Sequence, residues 1–245
     1  TTNYILTKMD KEGADFDSTL KQAQDLGYAE RNPEADIEGY DAVRKIAILG
    51  SLATGKTVDY KEVYTEGISK ITAEDFKYAK AMNRSIKLLG KCKNEDGVMV
   101  ASVAPRLLSP NHPLYNVNDV VNGILVRGNM VGDLVFIGSG AGKLPTASAV
   151  VSDVVDSVRH LNVSTTIMWD DEKLELENFS KSKKKFFVRT SESKDKIENV
   201  FGEVKYVDAG IDGEVGFITK KISEEHFEEK AKELGNVISR IRIEE

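Results

Sequence analysis

Apolar residues in the first two thirds of the chain recur first at helical spacing and later at strand spacing. Spacings of three to four positions over residues 17–26 and 39–53 predict two helices. Thr72, followed by Glu74 and Asp75, has the pattern of a helix cap with acidic residues in the first turn. Later elements are predicted at residues 86–91, 98–103, 124–126 and 134–137 (strands) and 145–161 (helix). This succession predicts an α+β fold in which helices cover one face of a mixed sheet.

Short and highly charged segments follow residue 161. They predict strands at 186–189, 204–207, 216–219 and 237–243, and helices at 194–201 and 224–234. The order βαββαβ is that of a small ferredoxin-like domain. Its length and order resemble the ACT domain, a small regulatory module. We therefore predict a first domain over residues 1–161, a linker over 162–182 and an ACT-like domain over 183–245.

Composition narrows the class of protein. The 40% of hydrophobic and 30% of charged residues are typical of a globular chain, and no apolar run approaches the roughly 20 residues of a membrane span. The net charge of -6 argues against a nucleic-acid partner. The one cysteine, Cys92, and the separated His112, His160 and His226 predict neither disulfides nor a metal site. The N-terminus has no export signal, so a cytoplasmic protein without membrane association is expected.

Asp41 and Lys45 are the first candidates for chemistry, because they lie four residues apart and share one helix face. Such a pair is most often an exposed ion pair that stabilises a helix by a few tenths of a kcal/mol. The surrounding helix is apolar on almost every side, and Ile48 and Leu52 continue the same face. The helix is therefore expected to be buried, with the pair lining a cleft. A carboxylate and an amine in a partly buried cleft suit acid–base chemistry or the binding of a zwitterion.

Three motifs, in order along the chain, carry a family resemblance. The first is Thr-Thr-Asn-Tyr-Ile-Leu at 1–6. The second, at 26–45, is Leu-Gly-Tyr-Ala-Glu followed by Asp36, Asp41, Arg44 and Lys45. The third, at 138–150, is a glycine-rich turn followed by the first residues of a predicted helix. The first resembles the end of the Asn-Gly-Thr-Thr-Asn-Tyr loop of homoserine dehydrogenases, the second their substrate-site signature and the third their late glycine-rich turn. The resemblance covers residues 1 to about 160.

The resemblance implies an oxidoreductase of threonine and methionine biosynthesis that interconverts L-aspartate 4-semialdehyde and L-homoserine with NADPH or NADH. It implies that Lys45 donates a proton to the carbonyl oxygen as hydride arrives. It also implies that Glu30 and Asp41 accept hydrogen bonds from the ammonium and hydroxyl ends of the substrate, with Asp36 in a supporting position. The chemistry is consistent, because an aldehyde that becomes an alkoxide needs a proton source, and burial makes a lysine a better one.

Thr2, Gly140 and Gly142 are the cofactor-binding positions that the resemblance implies. By itself, the glycine-rich turn before Pro145 indicates only a tight turn that enters a helix. No strand leads into the G-x-G-x-x-G pattern of a dinucleotide-binding domain, so most of the cofactor site is expected outside these 245 residues. The residues that distinguish NADP from NAD are expected there too. The chain, which does not begin with Met, is thus expected to be a C-terminal part that is inactive alone.

Two alternatives remain open. Residues 50–57 match the P-loop pattern G-x-x-x-x-G-K-[ST], which would make the protein a nucleotide hydrolase that uses Lys56. The competing interpretation is a helix that ends at Gly55. The other alternative is a non-catalytic regulatory and dimerisation module. The ACT resemblance implies threonine as an effector, but the loop at 190–193 lacks the glycine usual in such sites. A homodimer formed through the sheet is expected.

Overall fold

The computed structural model describes residues 1–95, 97–140, 142–164, 166 and 168–244. The helices are α1 Thr2–Glu12, α2 Phe16–Asp25, α3 Glu34–Ile37, α4 Tyr40–Thr54, α5 Ala73–Ala81, α6 Lys143–Arg159, α7 Lys194–Phe201 and α8 Glu224–Leu234. The strands are β1 Tyr64–Thr65, β2 Ser85–Glu95, β3 Val98–Leu108, β4 Val121–Gly128, β5 Gly132–Ser139, β6 Lys183–Thr190, β7 Lys205–Val207, β8 Val215–Ile218, β9 Ile222–Ser223 and β10 Val237–Ile243. Short 3₁₀ turns lie at Tyr60–Glu62 and Phe179–Lys181.

Local signals explain where several helices begin and end. Thr72 and Asp75 form a capping box at the start of α5, as the sequence predicts. Helix α4 lies between Gly39 and Gly55, which both have left-handed backbone conformations with φ of 81° and 72°. These are conformations that glycine adopts without steric cost. The predicted helix at 39–53 is therefore confirmed within one residue at each end.

Helix α1 is an element that was not predicted from the sequence. It begins at Thr2, within the motif at 1–6, and runs to Glu12. Its buried face carries Ile5, Leu6 and Met9 at helical spacing and packs into the main core. The polar residues Thr2 and Asn3 therefore lie in the first turn of a helix and not in an irregular segment.

Strand β3 is the centre of a mixed sheet. Its whole length pairs with β2 in an antiparallel hairpin. Its other edge is shared by two parallel neighbours, because β1 pairs at Ser102 and Val103 and β10 pairs at Arg106 and Leu107. The predicted α+β fold with a mixed sheet is confirmed.

The last third of the chain has the predicted βαββαβ succession, with the short strand β9 added. Its four main strands lie side by side in the order β10-β6-β8-β7, and each neighbouring pair is antiparallel. Helices α7 and α8 contribute Ile197, Val200, Phe227 and Leu234 to one apolar cluster with the sheet. This is the ferredoxin-like arrangement.

The ferredoxin-like unit shares its sheet and its core with the rest of the molecule. The pairing of β10 with β3 makes the sheet continuous, and one core cluster contains Leu107 beside Phe187, Ile241 and Ile243. Residues 168–182 also run against the first part, with Thr57 bridged to Lys173. The division at 161 and 183 stays a prediction about organisation, since the sheet crosses it without a break.

The P-loop interpretation of residues 50–57 is wrong. Residues 46–49, which that motif requires as a strand, lie inside helix α4. The helix continues to Thr54, and the backbone N–H of Gly55 donates to the carbonyl of Ser51 at 2.9 Å. The backbone N–H groups that would have to surround a phosphate are therefore used within a helix.

Candidate active site

A cavity of about 620 Å³ opens between the start of α1, helix α4, strand β2 and the hairpin β4–β5. Polar groups converge on it from elements far apart in sequence. Those that matter for chemistry are Thr2, Asp41, Lys45, Lys87 and Asn122, with the backbone of Gly140 beside them. An apolar lining with a few convergent polar groups is the usual composition of a small-molecule site.

Asp41 and Lys45 form the predicted pair at the wall made by α4. Lys45 Nζ lies 2.6 Å from Asp41 Oδ2, and the two side chains are 67% and 44% exposed. The expected burial of α4 on nearly all sides is wrong, since Ile48 and Leu52 are also about half exposed. Asp41 and Lys45 lie at the open side of the cavity, where a ligand or another protein segment can reach them.

Charged side chains gather around Thr1, the residue before α1. Asp36, Lys45 and Asp41 all lie close enough to the backbone nitrogen of half-buried Thr1 to act on it electrostatically. Asp36, on the short helix α3, is half-buried. The three predicted site residues at 36, 41 and 45 therefore lie around one point at the start of α1.

The loop that carries Glu30 is hydrogen-bonded to Thr1, the residue before α1, and to Gln24 on α2. Thr1 Oγ1 donates to the carbonyl of Tyr28 at 2.5 Å, and Gln24 Nε2 donates to the carbonyl of Glu30 at 3.0 Å. The Glu30 side chain itself is exposed. Among the described residues, the cavity lining does not include Glu30 or Asp36, so their contact with a substrate stays a prediction.

The glycine-rich turn approaches the cavity with its backbone. A Cβ atom added at Gly140 would lie 1.9 Å from Nδ2 of Asn122, so any side chain there would force the Asn122 side chain to move. Gly142 has φ of 102° and immediately precedes α6, which begins at Lys143. A backbone without a side chain leaves room for the flat edge of a nicotinamide, so Gly140 fits that group, and Thr2 lines the same cavity. Gly142 itself lies outside the lining of the cavity as described.

Lys87 is a site residue that the sequence pattern did not single out. It extends from the middle of β2 into the cavity wall and is only 5% exposed. Burial lowers the pKa of its ammonium group to about 8. The available signal was a single lysine inside the apolar run Ile86 to Leu89, because a lysine at that position must find buried partners.

The remaining sequence candidates lie away from the cavity. Lys56 pairs with Glu172 on the surface, and that carboxylate raises the pKa of Lys56. Over the described part of the chain, no three of the histidine, cysteine and acidic side chains are placed to hold a metal ion. Within the same residues, no helix has the length and apolarity that crossing a membrane requires.

Known proteins share the sequence and the fold of this chain. A family model described as homoserine dehydrogenase matches residues 1–155. The chain belongs to the homoserine dehydrogenase family. The homoserine dehydrogenase of Bacillus subtilis is 44% identical over 166 residues, which cover 68% of this chain and 38% of that protein. That of Synechocystis is 49% identical over 162 residues, 64% of this chain and 37% of that protein. The matched region therefore spans less than half the length of these curated relatives.

Solved structures of homoserine dehydrogenases have the same fold over the whole chain. The enzyme from Thiobacillus denitrificans superposes with a TM-score of 0.87 at 31% identity, covering 100% of this chain and 62% of that one. The Staphylococcus aureus enzyme at pH 6.0 gives 0.79 at 32% identity, covering 100% and 63%. A hyperthermophilic archaeal homoserine dehydrogenase mutant in complex with NADPH gives 0.50 at 32% identity, covering 66% and 46%. The ferredoxin-like unit is therefore part of the fold shared with the first two enzymes.

The structure brings four of the predicted site residues into one cavity. They are Thr2, Asp41, Lys45 and Gly140. They come from the starts of helices α1 and α4 and from the turn between β5 and α6. No part of the sequence pattern alone required these segments to meet.

Proposed function

We propose that this chain supplies the substrate and proton-donor side of an enzyme that interconverts L-aspartate 4-semialdehyde and L-homoserine with NAD(P)H. The single observation that supports this function is the meeting of Asp41 and Lys45 with Thr2 and Gly140 at one cavity. An ammonium donor, a carboxylate acceptor and a bare backbone surface are what the reduction of a zwitterionic aldehyde requires. Such a reaction belongs to threonine and methionine biosynthesis.

In this proposal, Lys45 gives a proton to the carbonyl oxygen while negative charge develops there. Its ammonium is 2.6 Å from Asp41 Oδ2, so the carboxylate orients it and can accept a hydrogen bond from the product hydroxyl. Glu30 and Asp36 would receive the substrate ammonium at the start of α1, where Asp36 lies close to the backbone nitrogen of Thr1. The substrate is thus oriented by charges at both ends.

The cofactor in this proposal is NADPH or NADH. A bound nicotinamide would supply the hydride, and the backbone of Gly140, with Thr2 and Gly142, would hold its edge. Most of the dinucleotide would lie on further sequence, because the curated relatives are more than twice the length of the matched region. We expect the 245 residues alone to show negligible turnover and place the activity in the complete gene product that contains them.

We also propose that the enzyme is a homodimer formed through the hairpin β4–β5. Ile124 lies opposite Phe136, and Val126 lies opposite Leu134, so these four side chains form one stripe on one face. All four are more than 40% exposed. A contiguous apolar stripe on a two-stranded sheet suits the self-complementary contact of a twofold dimer.

The ACT resemblance supports a separate proposal about regulation. The loop between β6 and α7 is closed by its own hydrogen bonds, because Thr190 Oγ1 accepts from the N–H of Glu192 at 3.1 Å and Ser193 caps α7. This favours a structural role for the ferredoxin-like unit. A threonine site on it remains the alternative that the resemblance implies.

The function is tested by comparing Lys45→Met with Lys56→Met in the complete gene product. Lys45→Met should lower kcat for NADPH-dependent reduction of aspartate semialdehyde by on the order of 10²–10⁴-fold, since it removes the proton donor. Lys56→Met is the matched control, because Lys56 lies just past the end of α4 and pairs with Glu172 outside the cavity. Equal losses in both variants, or retained activity after loss of Lys45, would contradict the proposal.

A further inference from the structure

The ammonium group of Lys87 joins three pieces of chain at the inner wall of the cavity. Its Nζ donates to Oδ1 of Asn3 at 3.2 Å, to the carbonyl of Val117 at 2.5 Å and to Oδ1 of Asn118 at 2.8 Å. A protonated lysine has three N–H bonds and no acceptor. Each of its three hydrogens therefore has an acceptor, and none is left to bind a substrate directly.

The segment that Lys87 holds forms one wall of the site. Val117, Val121 and Asn122 all line the cavity, and the segment continues into β4. Two bonds from α1 fasten the same segment, since Asn3 Nδ2 donates to the carbonyl of Val121 at 2.9 Å and Thr7 Oγ1 accepts from the N–H of Asp119 at 2.9 Å. Asn3 thus takes part in both sets of contacts.

We propose that Lys87 is a positioning residue of the substrate site, which holds the wall 117–122 and the start of α1 at the distance that the amino-acid substrate requires. The inference rests on the proposed function for the identity of the substrate. Through Asn3 it sets the place of Thr2, and through Val117 and Asn118 it sets the place of Asn122 opposite Asp41 and Lys45.

This role depends on the charge of Lys87. A neutral amine has two N–H bonds and a lone pair, so it cannot satisfy three acceptor oxygens. The charged groups that act on Lys87 are Asp10 and Lys11 from α1 and Asp119 from the segment before β4. Burial outweighs the two carboxylates and places the pKa of Lys87 near 8. The wall should therefore be held best below about pH 8 and less well as the pH rises through that value.

Hydrogen–deuterium exchange of the complete gene product tests the positioning without any substrate. At neutral pH, Lys87→Met should speed the exchange of backbone amides in residues 117–123 by about ten-fold or more, since it removes hydrogen bonds from a charged donor. Lys91→Met is the matched control, because Lys91 lies on the same strand and face but pairs with Glu244 away from the cavity. Unchanged exchange at 117–123, or the same increase in both variants, would overturn the proposal.

The pH dependence of L-homoserine binding, measured by calorimetry, tests the link to the substrate. The dissociation constant should rise above pH 8 in the wild type. Asn118→Asp places a carboxylate beside the ammonium and raises the pKa of Lys87, so it should move this alkaline limb to higher pH. The proposal would be overturned if the dissociation constant began to rise at the same pH in Asn118→Asp as in the wild type. If homoserine does not bind at any pH, the proposed function fails, and the exchange experiment still decides whether Lys87 holds the wall.

Discussion

Two lysines of this site differ because their surroundings differ. Lys45 is 67% exposed and pairs with a carboxylate, whereas Lys87 is 5% exposed and is held by neutral oxygens. The sequence pattern predicted that Lys45 would be partly buried, but in the structure the buried lysine of the site is Lys87. Residue type therefore indicates that an amine can act here, and the tertiary surroundings decide what each amine does.

A buried ion pair at the scale of single residues connects the first part of the chain to the ferredoxin-like unit. Arg189 on β6 bonds Asp75 on α5 at 2.8 Å and Glu214 at 2.9 Å, and the Arg189 and Asp75 side chains are almost fully buried. Asp75→Ala should lower the free energy of unfolding by about 3–5 kcal/mol, because it leaves a buried guanidinium with one carboxylate fewer and removes the side chain that completes the capping box of α5.

Urea denaturation followed by circular dichroism measures this effect. The control is Asp25→Ala, which breaks the exposed pair of Lys21 and Asp25 and should leave the midpoint unchanged. A loss in Asp75→Ala no larger than in this control would show that the pair contributes little to stability.

At the scale of elements, helix α4 carries Asp41 and Lys45 and places them at the cavity. Its position is set at Gly39, where a Cβ atom would lie 3.1 Å from Cγ1 of Val103 and 3.3 Å from Cγ2 of Thr65. Gly39 also has φ of 81°, a conformation that disfavours every side chain. The start of α4 therefore packs closely against β1 and β3, and this contact sets the position of Asp41 and Lys45 at the cavity.

Gly39→Ala should destabilise the protein more than Gly55→Ala at the other end of the same helix. Both substitutions force a left-handed alanine, at about 1–2 kcal/mol. Only Gly39 adds a steric contact, because an added Cβ at Gly55 meets nothing within 4 Å. Thermal or urea unfolding measures the difference, and KM for homoserine should rise in Gly39→Ala alone. An equal loss of stability in the two variants would show that Val103 and Thr65 move aside for the added Cβ at no measurable cost.

At the scale of the whole molecule, two groups of apolar residues have opposite environments. The core of the mixed sheet is closed, with Leu107, Phe187 and Ile241 at 0% exposure. By contrast, every described residue of β5 is exposed, and α6 has no buried residue. So much exposed apolar surface in one region is typical of a surface that another protein segment covers.

Phe136→Asp should convert the proposed dimer into a monomer. A carboxylate in the centre of the apolar stripe would be desolvated in the dimer without a partner. Sedimentation velocity of the complete gene product measures the mass, and Leu26→Asp, at another exposed apolar position, is the control that should remain dimeric. A dimer that persists in Phe136→Asp, with wild-type stability, would place the interface elsewhere.

The sequence by itself determined most local structure. Helices α7 and α8 and strand β10 have the bounds that the pattern predicts, and Ser193 and Ser223 cap the two helices. The pairing of Asp41 with Lys45 was likewise predictable, because a helix places residues four apart on one face. The motifs at 1–6, 26–45 and 138–150 indicated the family that the comparisons confirm. All of these depend on residues that are neighbours along the chain.

Only the tertiary structure decided the burial and the long-range pairing. The sequence did not predict that β10 pairs with β3, that Lys87 enters the cavity wall or that α4 leaves Ile48 and Leu52 exposed. Helix α1 was likewise not predicted from the sequence, although Ile5 and Met9 have helical spacing. Each of these features depends on what packs against a segment from far along the chain, which periodicity within that segment does not specify.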